Sequence, residues 1–216
     1  MAKNDNRNYN YEPGTAGKRK EFDVILSFAD TGSSIVDLGC GDGTLLDLLV
    51  KERGCRAAGI ELSPSGVAVC QGKGLDVRTG RIDEPLPFAD DQFDISICSV
   101  SIQMVMYPEV LLREMKRISK KIIISFPNFA FYRNRLQLLL DGSMPKHMLF
   151  GYNWYDTGHI HQLSIRDFEQ LVARTGGLRI VSCAGHLAGN PLKKFLVRRH
   201  PNLFQNLPVC LLEKSC

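Results

Sequence analysis

No stretch of this chain approaches the roughly 20 consecutive apolar residues that a membrane-crossing helix needs. The first residues, Met1-Ala2-Lys3-Asn4-Asp5-Asn6, carry no apolar signal segment, so the expected address is the cytoplasm. No Cys-x-x-Cys occurs, and the seven cysteines (40, 55, 70, 98, 183, 210 and 216) are odd in number. Both facts argue against a disulfide framework or a zinc ribbon. Most of these cysteines have apolar neighbours and are expected to be reduced, buried small side chains. Cys216, as the last residue, cannot open a four-residue prenylation box. Gly-x-Ser-x-Gly is missing as well, which excludes the nucleophile elbow of an α/β-hydrolase.

Positive charge on the folded body is also scarce. The formal net charge is +4, but the first twenty residues hold +3 of it, with Lys3, Arg7, Lys18, Arg19 and Lys20 set against Asp5 and Glu12. A nucleic-acid groove usually needs a basic stripe on the body itself. Only Lys193-Lys194 with Arg198-Arg199 offers one, and a solvated face accounts for it better. Neither nucleic acid nor a membrane is an expected partner.

What is present is an ordinary globular composition: 216 residues, 44% hydrophobic and 23% charged. Such a chain suits one domain, expected over residues 18–216 behind a flexible tail at 1–17, and buries roughly 70% of its unfolded surface. Strands and helices alternate along it. Phe22, Ile25, Leu26 and Ala29 mark one helical face. Ile35 to Leu38 is a strand entering a glycine-rich turn, followed by an amphipathic helix that stops at Gly54. Ala57 to Leu62 is a second strand, and Ser63-Pro64 starts a helix. Further strands are expected at 75–79, 93–98 and 122–124, with a helix opening at Pro108 and another over 131–141. Ser164 with Asp167 forms a capping box before a helix that Gly176-Gly177 stops. Two late strands, 179–183 and 208–212, are joined by a connection without a convincing long helix. This order predicts an α/β fold with a mostly parallel sheet, its last two strands pairing antiparallel at one edge.

The chemistry gathers at Asp37-Leu38-Gly39-Cys40-Gly41-Asp42-Gly43, between a strand and a helix. Glycines there let the backbone approach a ligand at the carboxyl edge of the sheet. Glu61 closes the next strand, where a carboxylate can accept ribose hydroxyls. A dinucleotide fingerprint would want a third glycine where Thr44 stands. Acids on both sides, Asp37 and Asp42, serve a ligand with an ammonium and a sulfonium better than a pyrophosphate. S-adenosylmethionine is therefore the expected cofactor, and NAD fits less well.

These residues resemble the first two motifs of the class I methyltransferases, whose Rossmann-like sheet is seven-stranded with helices on both faces and an antiparallel last strand. The resemblance implies that Asp37, Gly39 and Gly41 line the methionine end of the cofactor, with Cys40 also among the cofactor-binding residues. It also implies that Glu61 holds the ribose, that Leu62 packs on the adenine and that Ser99 borders the site. Gly80-Arg81-Ile82 occupies the adenine turn; the usual pattern has Asp where Arg81 stands, and Asp83 is the substitute two residues on. Ser125-Phe126-Pro127-Asn128-Phe129, Arg133, the run Arg135 to Leu140, Trp154-Tyr155-Asp156-Thr157, Ile160-His161 and Ile165 to Glu169 resemble the MetW family of methionine biosynthesis, over roughly residues 18 to 183.

Methyl transfer needs an in-line nucleophile, sometimes a base, and exclusion of water. The end of the fourth strand, Ser99 to Gln103, holds no good base and lacks the Asn/Asp-Pro-Pro-aromatic motif of amine methylases. Trp154-Tyr155-Asp156 with His159 and His161 is a second polar cluster. It can be read as a metal site on Asp156, His159 and His161, as a catalytic base at His161 with Tyr155 beside it, or as a structural cover. Arg133 and Arg135 either bind an anionic substrate or solvate a helix face. The family implies work beside a homoserine O-acyltransferase, as a S-adenosylmethionine-binding partner; the alternative is an active methyltransferase on a small metabolite.

Overall fold

The computed structural model describes residues 10–12, 17–146, 149, 152–185 and 191–215. Most of the tail expected over residues 1–17 lies outside them, as does Cys216.

Seven strands form one sheet: β1 (Ser34–Leu38), β2 (Arg56–Glu61), β3 (Asp76–Thr79), β4 (Phe93–Ser99), β5 (Ser119–Ser125), β6 (Leu178–Ala184) and β7 (Val209–Lys214), in the order β3-β2-β1-β4-β5-β7-β6. β1 to β5 run parallel, while β7 lies antiparallel to both β5 and β6. Strand order reverses at β1, so the crevice between β1 and β4 is the topological switch point at which open α/β sheets bind ligands.

The helices are α1 (Lys20–Phe28), α2 (Thr44–Arg53), α3 (Pro64–Gly72), α4 (Pro108–Ile118), α5 (Tyr132–Asp141), α6 (Ile165–Thr175), α7 (Pro191–Arg199) and α8 (Pro201–Phe204). Side chains of a strand alternate between its faces, and both faces of this sheet are covered. Val36, Leu38, Ile122 and Ile124 pack with Leu111, Leu112 and Met115 of α4 and Phe168 and Val172 of α6. Ile35, Ile95, Ile97 and Ile123 pack with Phe22, Ile25 and Leu26 of α1 and Leu45 and Leu49 of α2. A smaller cluster under the glycine turn joins Cys40, Leu46, Val67, Cys70 and Val77. Helix α5 differs: of its residues only Asn134 is buried, and Leu136, Leu138, Leu139 and Leu140 face outward.

Two expectations need correction. The connection between the last strands contains a nine-residue helix, α7; the close basic residues of Pro-Leu-Lys-Lys-Phe-Leu-Val-Arg-Arg hide its apolar stripe. Cys183 and Cys210 are not reduced thiols but a disulfide. The cause is register: antiparallel pairing sets Cys183 directly opposite Cys210 across β6 and β7. Cys40, Cys55, Cys70 and Cys98 are free and buried, as their neighbours predicted.

Candidate functional site

The turn after β1 is built on missing side chains. Gly39 has φ +82°, and a Cβ there would lie 2.7 Å from Ser101 Oγ. The Gly39 amide donates to the Ile60 carbonyl at 2.8 Å, which folds the turn over the end of β2. Asp37, the last polar group before it, is only 2% exposed. Its Oδ1 has no hydrogen-bond partner among the described residues. Burial pushes its carboxyl up to about 7; the Arg19 guanidinium opposes this shift and Glu61 adds to it. An acceptor buried without a partner costs free energy, and a cationic donor entering the crevice would recover it.

Glu61, 5% exposed, closes β2 as expected. Its carboxylate is already engaged: Oε2 accepts the Gly41 amide at 2.7 Å and Oε1 the Ser63 amide at 2.8 Å. It thus ties the glycine turn to the start of α3. A carboxylate offers about four lone-pair directions, so a ligand hydroxyl would share these oxygens. Leu62 is half-buried beside it. Asp42 does not flank the crevice. Its carboxylate caps α2 through the Thr44 amide (3.1 Å) and hydroxyl (2.7 Å), and Lys73 Nζ contacts its backbone carbonyl at 2.7 Å and Oδ2 at 3.4 Å. Cys40 shares a side-chain hydrogen bond with Cys70 beneath the turn; that bond and burial hold its thiol well above the ordinary range.

At the turn after β3, expected to face the adenine, Arg81 pairs with Asp83 (2.9 Å) and Glu84 (3.2 Å). Asp83 Oδ2 also accepts the amides of Met106 (2.8 Å) and Tyr107 (3.2 Å). Asp83 therefore anchors the 105–107 loop. Ile82 is buried, with its Cδ1 3.6 Å from where a Gly39 Cβ would stand.

Ser99 ends β4, its hydroxyl 3.2 Å from Ser125 Oγ. Val100 follows at φ +55°, a left-handed conformation that a β-branched residue adopts only under strain. The Val100 amide donates to the Ser125 carbonyl at 2.9 Å and the Gln103 amide nitrogen donates to the Val100 carbonyl at 2.8 Å, which together fix this strained corner. The Gln103 carbonyl in turn accepts the amides of Ile160 (2.9 Å) and His161 (3.0 Å). That pair of bonds hangs His161 on the turn that follows β4. Its Nε2 is buried with no hydrogen-bond partner among the described residues.

Tyr155 is not brought to this crevice. It is 70% exposed and packs edge-on against Trp154 at 5.6 Å. Asp156 caps its own turn through the amide and side chain of Asn153. Among the described residues no three His, Cys, Asp or Glu side chains converge to hold a metal. Arg133 leans on Tyr132, and Arg135 Nε donates to the Ala130 carbonyl at 2.6 Å, so both arginines decorate an exposed helix start.

Two residues of the site lie outside the glycine signature. Tyr11, inside the expected tail, has its amide bonded to Ser65 Oγ at 3.0 Å. A Cβ on Gly41 would meet its phenol oxygen at 3.3 Å, and one on Gly66 its ring at 3.1 Å. Burial, then the charges of Glu61 and Asp42, hold this phenol far above its ordinary range, although Arg19 opposes them. Arg19 Nη2 donates to Ser99 Oγ at 3.2 Å. Periodicity gave no sign of either, because both contacts join distant parts of the chain.

A family model described as methionine biosynthesis protein MetW matches residues 19–212. A bifunctional methionine biosynthesis protein MetXA/MetW of Rhodopirellula baltica is 33% identical over 160 residues, which cover 69% of this chain and 26% of that protein. Norajmaline N-methyltransferase of Rauvolfia serpentina is 29% identical over 131 residues, 50% of this chain and 45% of the relative. The chain thus spans less than half the length of either. Among solved structures, an S-adenosylmethionine-dependent methyltransferase from Mesorhizobium loti superposes with a TM-score of 0.64 at 17% identity, covering 91% of this chain and 98% of that one. The (4+2) cyclase SpnF superposes with 0.63 at 15% identity, covering 96% and 86%. Likeness at these identities speaks for the fold: a mostly parallel, Rossmann-like methyltransferase sheet.

Proposed function

Because the chain belongs to the MetW family of methionine biosynthesis proteins, we propose that it binds S-adenosylmethionine at the turn after β1. Through that binding it would act as a partner of a homoserine O-acyltransferase. The observation that carries the cofactor reading is Asp37 Oδ1, a buried acceptor without a partner among the described residues, at the switch point of the sheet. S-adenosylmethionine supplies a sulfonium-bound methyl and an α-ammonium. The chain supplies an acceptor for the ammonium at Asp37, a close backbone approach at Gly39 and Gly41, and carboxylate oxygens for the ribose at Glu61. Leu62 offers an apolar surface for the base, with Ile82 buried beside the turn and Cys40 packing beneath it. Arg81 and Asp83 brace the adenine side and Ser99 the methionine side.

The partnership is supported by the Rhodopirellula relative, in which MetXA and MetW form one bifunctional protein. The chain has no Gly-x-Ser-x-Gly of its own, so acylation belongs to the partner and this chain contributes a ligand-responsive surface. Thermal melting with S-adenosylmethionine and with NAD tests the cofactor. At 100 times its dissociation constant a ligand stabilises by about 2.7 kcal/mol, a rise of roughly 5–10 °C for a domain of this size. An equal rise with NAD, or none with either, overturns the reading. Co-purification with the acyltransferase and its acylation rate, each with and without S-adenosylmethionine, test the partnership; no complex and no rate change end it.

One observation favours a second reading. His161, held on the Gln103 turn beyond β4 with a buried Nε2 unpartnered among the described residues, would take a proton from a small methyl acceptor. Formation of S-adenosylhomocysteine with a metabolite pool, lost in His161→Ala, would support an active methyltransferase. Binding without turnover across broad pools would count against it.

A further inference from the structure

We propose that the chain holds a second small-molecule site, for a short apolar α-amino acid, in the cleft where α6, α7 and α8 meet the end of β6. This goes beyond the cofactor reading and does not rest on it. β6 is antiparallel to β7, which is antiparallel to β5, so β6 runs with the parallel strands and ends at the carboxyl edge of the sheet. It stands four places from β1 in the strand order, roughly 19 Å away at about 4.8 Å per strand. The cleft encloses about 330 Å³, within the range of about 300–1,000 Å³ in which small molecules bind. Ile165 and Val197, both buried, give it an apolar wall, and Gln205, Glu169, Lys194 and Arg198 give it polar groups.

Gln205 is the group that asks for a ligand. It is 2% exposed. Its Nε2 donates to the Ala184 carbonyl at 2.6 Å, which fixes the orientation of the amide, and its Oε1 is left buried without a partner among the described residues. Gly185 makes room for this arrangement, since a Cβ there would lie 2.9 Å from Gln205 Nε2. A buried acceptor with no donor costs free energy, and a donor seated in the cleft would recover it. The charges nearby fit the rest of the ligand. Lys194 and Arg198 stand four apart on α7, hence on one face of the helix, and Glu169 lines the cleft from α6. None of the three forms an ion pair among the described residues. The two cations suit a carboxylate, whereas Gln205 Oε1 and Glu169 suit an ammonium. A carboxylate alone would leave the Gln205 oxygen unanswered, and an amine alone would leave the cations so. A molecule that carries both charges close together, on a short apolar body to match Ile165 and Val197, uses the whole lining.

Calorimetric titration of the full chain tests this with L-methionine, whose flexible side chain adapts to irregular apolar surfaces. Two further probes are the acid that remains when its ammonium is removed and the amine that remains when its carboxylate is removed. L-methionine is expected to bind about tenfold more tightly than either. Arg198→Gln should weaken it about tenfold, the loss of one charge-assisted contact. Arg199→Gln removes the same charge one residue along α7, outside the cleft lining, and should change the affinity less than about twofold, because a solvated charge is screened. Glu169→Gln should weaken L-methionine and leave the deaminated acid unchanged or tighter. Saturating S-adenosylmethionine should leave the L-methionine titration unaltered; loss of binding there would put the amino acid in the glycine-turn crevice and overturn the proposal. No binding by folded wild type, equal affinity for all three probes, or equal losses in Arg198→Gln and Arg199→Gln overturn it too. Should S-adenosylmethionine itself fail to bind, the cofactor reading falls, while the comparison of Arg198 with Arg199 still decides this one. Both arginines are exposed, and melting curves check that the variants are folded. Arg198→Lys, which keeps the charge, should retain part of the affinity, and Lys194→Gln answers the question if Arg198→Gln unfolds.

Discussion

Asp37 concentrates the cost of this site in one carboxyl. An unfolded aspartate titrates near 3.9, whereas burial raises this one to about 7. Between those values the folded state holds a proton that the unfolded state releases, so stability falls as pH rises through the window and levels off above 7. Asp37→Asn should remove that slope and exceed wild type by a few kcal/mol at most at pH 8, measured by denaturant unfolding from pH 4.5 to 8. Parallel profiles for the two proteins would refute this. The same carboxyl must be ionised to receive a cation, so the affinity of wild type for S-adenosylmethionine should rise between pH 5.5 and 7, by up to about tenfold per unit. Gly39→Ala is a second residue-scale test. The left-handed φ and the 2.7 Å approach to Ser101 Oγ together should cost about 2 kcal/mol of stability and abolish cofactor binding, read by the same melting assay. Asp37, Gly39 and Glu61 were legible in the sequence because a strand-to-helix turn needs their residue types at fixed spacing. Tyr11 and Arg19 were not: their bonds to Ser65 and Ser99 span 54 and 80 residues, and local pattern carries no information at that range. The strained Val100 leaves no signal either, since nothing in its residue type asks for φ +55°.

Elements were the most readable level, because periodicity and caps act locally. Helix α6 begins where its capping box said it would. Ser164 Oγ accepts the Asp167 amide at 3.3 Å, and Asp167 Oδ2 accepts the Ser164 amide at 2.8 Å. Ser164→Ala should cost about 1 kcal/mol in chemical denaturation with no change in the slope against denaturant; an unaltered midpoint would show the cap to be idle. Helix α7 was missed for a physical reason. Its sequence is short and carries four basic residues, so propensity is weak. What orders it is docking beside α8, with Val197 buried. Helix α5 was read correctly as a helix, but its outward leucines were not foreseen, since a run of apolar residues does not say which side of a helix finds a neighbour.

For the molecule as a whole, alternation of strands and helices sufficed for the α/β class and the parallel majority of the sheet. The pairing of β6 with β7 was expected, but its register was not, and the register decides the cysteine chemistry. Alkylation followed by mass spectrometry should therefore find Cys183 and Cys210 blocked until a reductant is added. Cys40, Cys55, Cys70 and Cys98 should label on denaturation alone. Free labelling of Cys183 in non-reduced, denatured protein would refute the bridge. Fold and function separate at this scale too: the same architecture hosts a methyltransferase in Mesorhizobium loti and the cyclase SpnF, so reactivity rests on what each chain hangs around the switch point.

The position of β7 also shapes how the protein is made. A ribosome delivers residues 209–214 after every other strand, yet they belong in the interior of the sheet, between β5 and β6. Until they emerge, a nascent chain presents two raw strand borders to its surroundings, and such borders invite pairing with other chains. The parallel half that carries the glycine turn can assemble during synthesis. Completion waits for residues 209–214 to slot in, so the interval before they are available is when the borders of β5 and β6 are most open to pairing with other chains.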